Sequence, residues 1–331
     1  MTALTERALD GARVLVTGGA GFVGSWLCER LLDEGAAVWC VDSFLTGSPD
    51  KVAHLRDRPD FTLVEADVSD GVPDPGGLDV VMHLACPASP VHYLRRPLET
   101  LRVGSVGTAH CLDLAERHGA RFVLASTSEV YGDPLEHPQR ESYWGHVNPI
   151  GPRSVYDEGK RFAEATTAAY RRERGVDTGI ARIFNTFGPR MSLDDGRVVP
   201  AFVHQALLGE PLTVAGDGSQ TRSLCWVEDT VDGLVRLACA DEPGPVNLGN
   251  DTETTVLELA RTIIGLVGSS STIEFVPLPE DDPKVRQPDI SRARERLGWR
   301  PLTDVDEGLK QTVRWMHELV GPDGAAPRAQ P

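Results

Sequence analysis

Positive charge is scarce in this sequence. Its 331 residues include 33 lysines and arginines against 49 aspartates and glutamates, which gives a net charge of −16. A phosphate backbone or an anionic membrane surface needs a basic face on its partner. We therefore expect neither nucleic acid nor a membrane as a partner. A few arginines could still form a local pocket for a small anionic ligand.

Long apolar runs and metal-ligand motifs are also missing. No stretch approaches the roughly 20 consecutive apolar residues of a membrane span, and residues 1–16 hold no apolar core of a signal peptide. The six cysteines show no CxxC spacing, which predicts reduced core thiols in a cytoplasmic protein. Neither these cysteines nor the nine histidines have the spacing of metal ligands, so we expect no metal.

What the first half does contain is an alternation of short apolar runs and longer amphipathic stretches. Candidate helices lie at 24–34 and 100–119. The candidate strands are rich in apolar and β-branched residues and lie at 13–17, 36–41, 61–66, 79–85, 121–126 and 178–184. Such alternation predicts βαβ units. The expected fold class is therefore α/β, with a Rossmann-type doubly wound parallel sheet.

The pattern changes at about Gly188, where elements become shorter and proline and glycine more frequent. We interpret this as a smaller mixed α/β domain laid over the carboxyl ends of the strands. The predicted Rossmann domain spans 1–187, with 223–250 returning to it. The predicted substrate domain comprises 188–222 and 251–320, and the segment 321–331 is expected to be a disordered tail.

A glycine-rich turn follows the first candidate strand. In "VLVTGGAGFVGSWL", Gly18, Gly21 and Gly24 stand between a strand and a helix, where residues without Cβ let backbone amides approach a pyrophosphate. The GxxGxxG spacing is the variant used by short-chain dehydrogenases, although a simple strand-to-helix turn is the alternative. Asp42 ends the second candidate strand and is placed to bind the adenosine ribose. No arginine follows it directly, which favours NAD over NADP. Other candidate NAD-binding residues are Phe22, Val23, Asp67, Leu84 and Ala85.

A tyrosine and a lysine stand four residues apart in "SVYDEGKRFAEA", and therefore share one face of a predicted helix. An exposed helix pair is the alternative to a catalytic function. In the catalytic interpretation, Lys160 and the nicotinamide ring lower the pKa of Tyr156, so that it can take a proton from an alcohol as hydride leaves for NAD. Thr127, at the end of the fifth candidate strand, would hold the same alcohol. Both Tyr156 and Lys160 would also contact the cofactor.

Seven strings resemble the UDP-glucuronic acid decarboxylases, which are extended short-chain dehydrogenases/reductases, and the match runs from about residue 13 to 318. The strings are "HLACPASPVHY", "STSEVYGDPLEHPQ", "YWGHVNPIGPRSVYDEGKR", "ARIFNTFGPRM", "DDGRVV", "GDGSQTRS" and "PLPEDDPKVRQPDI". The related 4,6-dehydratases carry an Asp-Glu pair where this chain has Ser128 and Glu129. The missing aspartate argues against dehydration.

The resemblance implies a reaction and further site residues. UDP-glucuronic acid would be oxidised at C4, lose CO₂ and be reduced again to UDP-xylose, with NAD recycled. Glu129 and Arg286 match the family's active-site glutamate and arginine, although a capping glutamate and a surface salt bridge are the plain alternatives. Residues matching substrate-binding positions are Ser128, Asn185, Arg190, Arg222 and Arg286. The resemblance also implies a homodimer joined by helices at about 98–118 and 153–174.

The sequence leaves alternative activities open, and it departs from the family pattern at one position near the predicted site. The chain could be a related nucleotide-sugar 4-epimerase, or a decarboxylase that releases the 4-keto pentose, or act on another nucleotide uronate. A catalytically silent NAD-binding sensor is the rival from another class. Gly104 stands where the family commonly has an asparagine. That loss could alter the position of the cofactor loop or be offset by Ser105.

Overall fold

The computed structural model describes residues 8–278 and 283–320. The tail predicted at 321–331 lies outside the described residues. Within the described part, seven strands form one parallel sheet in the order β11-β6-β5-β4-β1-β2-β3. These strands are β1 (Arg13–Thr17), β2 (Ala37–Asp42), β3 (Phe61–Glu65), β4 (Val80–His83), β5 (Arg121–Thr127), β6 (Thr178–Ile183) and β11 (Val246–Leu248).

Helices cover both faces of this sheet. They are α1 (Phe22–Asp33), α2 (Pro90–Arg95), α3 (Pro97–Arg102), α4 (Thr108–His118), α5 (Ser154–Arg174), α6 (Val198–Leu208), α7 (Val227–Cys239), α8 (Val256–Val267), α9 (Ser291–Leu297) and α10 (Val305–Val320). Alternate side chains of a strand point to opposite faces. Accordingly, Val14 and Val16 of β1 join one buried cluster with Leu27 of α1, whereas Leu15 joins another with Leu112 of α4. The predicted doubly wound fold is confirmed.

The strand order places a crevice beside β1. This strand pairs with β2 on one side and with β4 on the other, so the winding direction reverses there. Ligands of open α/β sheets bind at such a switch point, outside the carboxyl ends of the strands. The residues that follow β1, β2, β4 and β5 are therefore brought to one edge.

A second layer lies over this edge. Its strands form three pairs: β7 (Thr186–Phe187) with β10 (Cys225–Trp226), β9 (Thr221–Arg222) with β12 (Thr254–Thr255), and β8 (Leu212–Ala215) with β13 (Ile273–Val276). Chain from the range 223–250 returns to the main sheet, where β11 pairs with β6. However, α9, which belongs to the range 251–320, packs against β11 and α7. The division into two domains thus stays a prediction.

The segment predicted as one helix at 100–119 is interrupted. Between α3 and α4, residues Val103–Gly107 form a π-helical turn, a feature that often marks a functional site. In residues 8–278 and 283–320, no helix is long and apolar enough to cross a membrane.

Candidate active site

A cavity of about 640 Å³ lies at the carboxyl edge of the main sheet, under the second layer. Seventeen of the residues singled out from the sequence line it. They are Gly18, Gly21, Phe22, Val23, Gly24, Asp42, Asp67, Leu84, Ala85, Thr127, Ser128, Glu129, Tyr156, Lys160, Asn185, Arg222 and Arg286. Residues as far apart in the chain as Gly18 and Arg286 are thus gathered at one site.

The glycine turn has no room for side chains. Gly18 has a φ of +69°, and a Cβ there would lie 2.7 Å from the Ala85 backbone nitrogen. At Gly24 a Cβ would lie 2.1 Å from the Gly18 carbonyl oxygen. The turn therefore brings bare backbone to the cavity immediately before α1, as a pyrophosphate site requires.

The Asp42 carboxylate is fixed in place at the end of β2. Its two oxygens accept hydrogen bonds from the backbone nitrogens of Ala20 at 3.0 Å and Phe44 at 2.9 Å. Burial raises the pKa of this carboxyl, and those two hydrogen bonds and the charge of Lys51 oppose the rise. Lys51, from a 3₁₀ turn at Pro49–Leu55, also lines the cavity. Sequence inspection missed it because it stands nine residues after the aspartate.

Tyr156 and Lys160 lie on the first turns of α5, facing the end of β5. Lys160 Nζ donates a hydrogen bond to the Ala125 carbonyl oxygen at 2.8 Å, and it lies 5.9 Å from the centre of the Tyr156 ring. Thr127 lies close enough to the Tyr156 hydroxyl to lower its pKa. On its other side the ring of Tyr93 stacks on Tyr156, with centroids 5.1 Å apart and an interplanar angle of 5°.

The expected lowering of the tyrosine pKa is not produced by the protein groups. Burial, together with the charges of Cys86 and Glu129, raises the pKa of Tyr156 above its ordinary value, although Thr127 and Arg197 oppose this. The expectation depended on Lys160 together with the nicotinamide ring, so it stays a prediction for the cofactor-bound protein. The lysine does hold its amino group near the ring, but the protein groups alone leave Tyr156 protonated.

Glu129 lies between two arginines. Arg286 donates two hydrogen bonds to its carboxylate, both at 2.8 Å, and Arg153 donates a third at 2.8 Å. Burial opposes ionisation of Glu129, but the charges and hydrogen bonds of both arginines outweigh it and lower its pKa from 4.5 to about 2. Hence Glu129 is neither a loop cap nor solvated, and Arg286 forms no surface salt bridge.

The arginine-glutamate group borders the tyrosine and threonine just described. Glu129 lies in a 3₁₀ turn, Ser128–Tyr131, directly after β5, and its backbone nitrogen donates to Thr127 Oγ1 at 3.2 Å. Arg286 Nη1 also lies 3.4 Å from Asn185 Oδ1. A threonine hydroxyl, a carboxylate and two guanidinium groups therefore share one wall.

Arg190 does not line this cavity. Its guanidinium donates to Glu29 Oε2 at 2.5 Å and stacks 4.2 Å from the Trp26 ring, and both partners belong to α1. The contact of Arg190 with substrate stays a prediction. Arg197, which sequence inspection did not select, lines the cavity instead and pairs with Asp195.

The π-helical turn brings Gly104 against α5. A Cβ at Gly104 would lie 3.0 Å from the Gly159 carbonyl oxygen, so the two backbones are in close contact there. The Ser105 hydroxyl donates to the Leu101 carbonyl oxygen at 2.7 Å on the exposed side, and an offset of the missing asparagine by Ser105 stays a prediction.

Comparison with known proteins identifies the family. Residues 15–312 match the family model described as GDP-mannose 4,6 dehydratase. UDP-glucuronic acid decarboxylase 2 of Arabidopsis thaliana is 54% identical over 310 residues, which are 94% of this chain and 69% of that protein. UDP-glucuronic acid decarboxylase 1 of Danio rerio is 52% identical over 92% of this chain and 73% of its own length. The chain belongs to the UDP-glucuronic acid decarboxylase family.

Solved structures of other extended dehydrogenases share the fold of this family member. A UDP-glucuronic acid 4-epimerase from Bacillus cereus, in complex with UDP-glucuronic acid and NAD, superposes with a TM-score of 0.83 at 25% identity, covering 93% of this chain and 99% of its own. A dTDP-glucose 4,6-dehydratase from Streptomyces venezuelae with bound NAD gives 0.85 at 28% identity, over 93% and 98%.

Proposed function

We propose that this chain converts UDP-glucuronic acid to UDP-xylose and CO₂, with NAD as a recycled redox cofactor. The observation that carries the proposal is one cavity wall that holds Tyr156 and Thr127 beside the Glu129–Arg286 pair. Alcohol oxidation needs residues that bind the hydroxyl and accept its proton, such as Thr127 and Tyr156. The sugar carboxylate, close to the oxidised carbon, needs a cationic neighbour such as Arg286.

The residues that would hold NAD fit a dinucleotide. The turn at Gly18, Gly21 and Gly24 leaves no space for a Cβ, and the Asp42 carboxylate is held toward the cavity by two backbone amides. The remaining proposed contacts are Phe22, Val23, Asp67, Leu84, Ala85, Tyr156 and Lys160. Bound NAD supplies the hydride acceptor for C4 and returns the same hydride at the end of the reaction.

Tyr156 and Thr127 would bind the C4 hydroxyl of the sugar. Tyr156 takes the hydroxyl proton as C4 is oxidised. Because burial raises the pKa of Tyr156, this step requires further positive charge at the site to lower it. The resulting ketone lies β to the C6 carboxylate. The C5–C6 bond can then break, with its electron pair passing to the ketone oxygen as an enolate. Protonated Tyr156 donates a hydrogen bond to that oxygen.

Glu129 and Arg286 are the proposed neighbours of C5 and of the carboxylate. The two arginines lower the pKa of Glu129 to about 2, so its carboxylate is ionised at neutral pH in this arrangement. We propose that it orients Arg286 and the sugar ring, and that the pair assists decarboxylation and the reprotonation of C5. Ser128 is proposed as a further contact of the sugar.

The nucleotide end is assigned to the second layer. Asn185 and Arg222 line the cavity, and a guanidinium suits a diphosphate. Val198, Ala201 and Phe202 of α6, with Thr213 and Ala215 of β8, line the same end, and we propose that they enclose the uracil.

We also propose a cytoplasmic homodimer. Large apolar side chains are exposed on neighbouring helices: Leu98 (76%) and Leu101 (38%) of α3, Val106 (41%) of the π turn, and Phe162 (53%) of α5. A partner copy would cover this face. Buried thiols such as Cys28, Cys111 and Cys225 support a reducing compartment.

Proton NMR of the sugar during incubation with UDP-glucuronic acid and NAD tests the proposal. UDP-xylose with one equivalent of CO₂ and little net NADH is the expected result. Retention of six carbons as UDP-galacturonate would favour the 4-epimerase, and a 4-keto pentose with accumulating NADH would mean that the last reduction is uncoupled.

A further inference from the structure

Arg286 reaches the cavity from a segment without regular structure. In the described part of the chain, residues 283–290 belong to no helix or strand. Arg286 nevertheless donates two hydrogen bonds of 2.8 Å to the Glu129 carboxylate, and such a paired contact requires a fixed orientation of the guanidinium group. Contacts of the neighbouring backbone must therefore hold this segment in place.

The backbone that follows Arg286 is docked on Gln139. The Gln139 backbone nitrogen donates to the Gln287 carbonyl oxygen at 2.8 Å, and the Asp289 backbone nitrogen donates to the Gln139 carbonyl oxygen at 2.8 Å. Between these two bonds, Gln139 pairs with Pro288 in an isolated parallel β-bridge. Main-chain bonds of this kind could be made by any residue at position 139 other than proline.

The side chain of Gln139 adds a bond that depends on its chemistry. The residue is 0% exposed. Its Oε1 accepts from the Gln287 backbone nitrogen at 2.9 Å, and its Nε2 donates to the Glu136 carbonyl oxygen at 2.9 Å and lies 3.4 Å from His137 Nδ1. A buried amide whose oxygen and nitrogen are both bonded is held in one orientation. The peptide nitrogen directly after Arg286 is thus anchored by a fixed side chain.

Gln139 lies on the same stretch of chain as the carboxylate that Arg286 contacts. That stretch, residues 129–139, begins with the glutamate itself. Within it, Asp133 Oδ1 accepts a hydrogen bond from the Lys284 backbone nitrogen at 3.1 Å. One stretch of chain therefore supplies the carboxylate and also contacts the arginine's segment on both sides of Arg286.

We propose that Gln139 is a positioning residue, which sets Arg286 against Glu129 and thereby aligns its guanidinium group with the sugar carboxylate. This inference rests on the proposed function, which places Arg286 beside that carboxylate. UDP-glucuronic acid and UDP-xylose are matched ligands for its test, because they differ by the carboxylate and share the rest of the molecule. A residue that only stabilised the fold would affect both ligands alike.

The experiment measures the affinities of both ligands by calorimetry, with NAD present, in a Tyr156→Phe background that slows turnover. Gln139→Met keeps the length of the side chain but removes its hydrogen bonds. It should weaken UDP-glucuronic acid about 5- to 20-fold and UDP-xylose less than about twofold. When Arg286→Gln is also present, adding Gln139→Met should change the ratio of the two affinities less than about twofold, because the guanidinium group that it positions is gone. Gln311→Met, at a half-buried position of α10, is the matched control and should change neither affinity.

Equal losses for both ligands would overturn the proposal. So would a changed ratio of affinities that persists in full when Arg286→Gln is present, since Gln139 would then act through another group. Gln139→Asn guards against misfolding of the methionine variant. Its shorter side chain cannot bridge the Gln287 nitrogen and the Glu136 carbonyl oxygen, so an unchanged ratio in this folded variant overturns the proposal equally.

Arg286→Gln alone separates this inference from the proposed function. If it shifts the ratio of affinities toward UDP-xylose and Gln139→Met does not, only the inference about Gln139 fails. If Arg286→Gln leaves the ratio unchanged, the inference fails together with the placement of Arg286 beside the carboxylate. Turnover of UDP-glucuronic acid by the unmutated protein then shows whether the proposed reaction itself stands.

Discussion

Replacing Glu129 by glutamine should destabilise the protein strongly and in a pH-dependent manner. The side chains of Glu129, Arg286 and Arg153 are 14%, 8% and 11% exposed, so solvent screens their interactions little. The substitution keeps the shape of the side chain but removes the charge that both guanidinium groups share.

The magnitude follows from the carboxyl pKa. It falls from 4.5 to about 2 on folding, and each pKa unit corresponds to about 1.4 kcal/mol. Ionised Glu129 therefore contributes about 3 kcal/mol to the free energy of unfolding at pH 7. Because the folded pKa is the lower one, this contribution is complete above pH 4.5. It shrinks as pH falls toward 2, to about half near pH 3.

Urea unfolding at pH 7 and at the lowest pH where the protein remains folded measures this difference. Glu129→Gln should lose about 3 kcal/mol at pH 7, and the gap between the two proteins should narrow on acidification. Glu295→Gln, at an exposed position of α9, serves as the control and should change stability by less than about 0.5 kcal/mol. A loss below about 1 kcal/mol at pH 7, or a gap that widens with acid, would refute the assignment of Glu129 as a buried carboxylate stabilised by both arginines.

Three further substitutions test other parts of the site. Tyr156→Phe should lower turnover about 10²- to 10⁴-fold without a comparable change in substrate affinity; equal turnover would exclude it as the proton acceptor. Gly104→Asn should cost about 1–3 kcal/mol in thermal or urea unfolding, because its Cβ would lie 3.0 Å from the Gly159 carbonyl oxygen; a stabilised variant would contradict that close contact. Arg190→Ala should leave the affinity for UDP-glucuronic acid within about threefold, since its partner is Glu29, and a tenfold loss would instead support the contact of Arg190 with substrate that the sequence predicts.

The parts of the site that could be predicted from the residues themselves are those with a recognisable local spacing. The glycine turn, Asp42 at a strand end, and the Tyr156–Lys160 pair each depend on residues a few positions apart, within one element or one turn. The resemblance added Glu129 and Arg286, whose contact spans 157 residues. No pattern of apolar residues could have indicated that pairing.

The site features that the sequence did not indicate depend on packing between residues far apart in the chain. Lys51 and Arg197 reach the cavity from a 3₁₀ turn and from the segment before α6, and Arg190 turns to α1 because Glu29 and Trp26 are there. The direction of the Tyr156 pKa shift is set by burial, which the i, i+4 spacing does not report. The family string "NPIGPRS" contained Arg153, but its partner Glu129 lies 24 residues away on another element.

The most direct test of the account follows the fate of the sugar's C6 carbon. Incubation with UDP-glucuronic acid labelled with ¹³C at C6 and a catalytic amount of NAD should release all label as CO₂ and leave unlabelled UDP-xylose. Turnover should exceed the NAD present many times over, because the cofactor is recycled. Label retained in a nucleotide hexuronate, or product limited to one equivalent per NAD, would contradict the account.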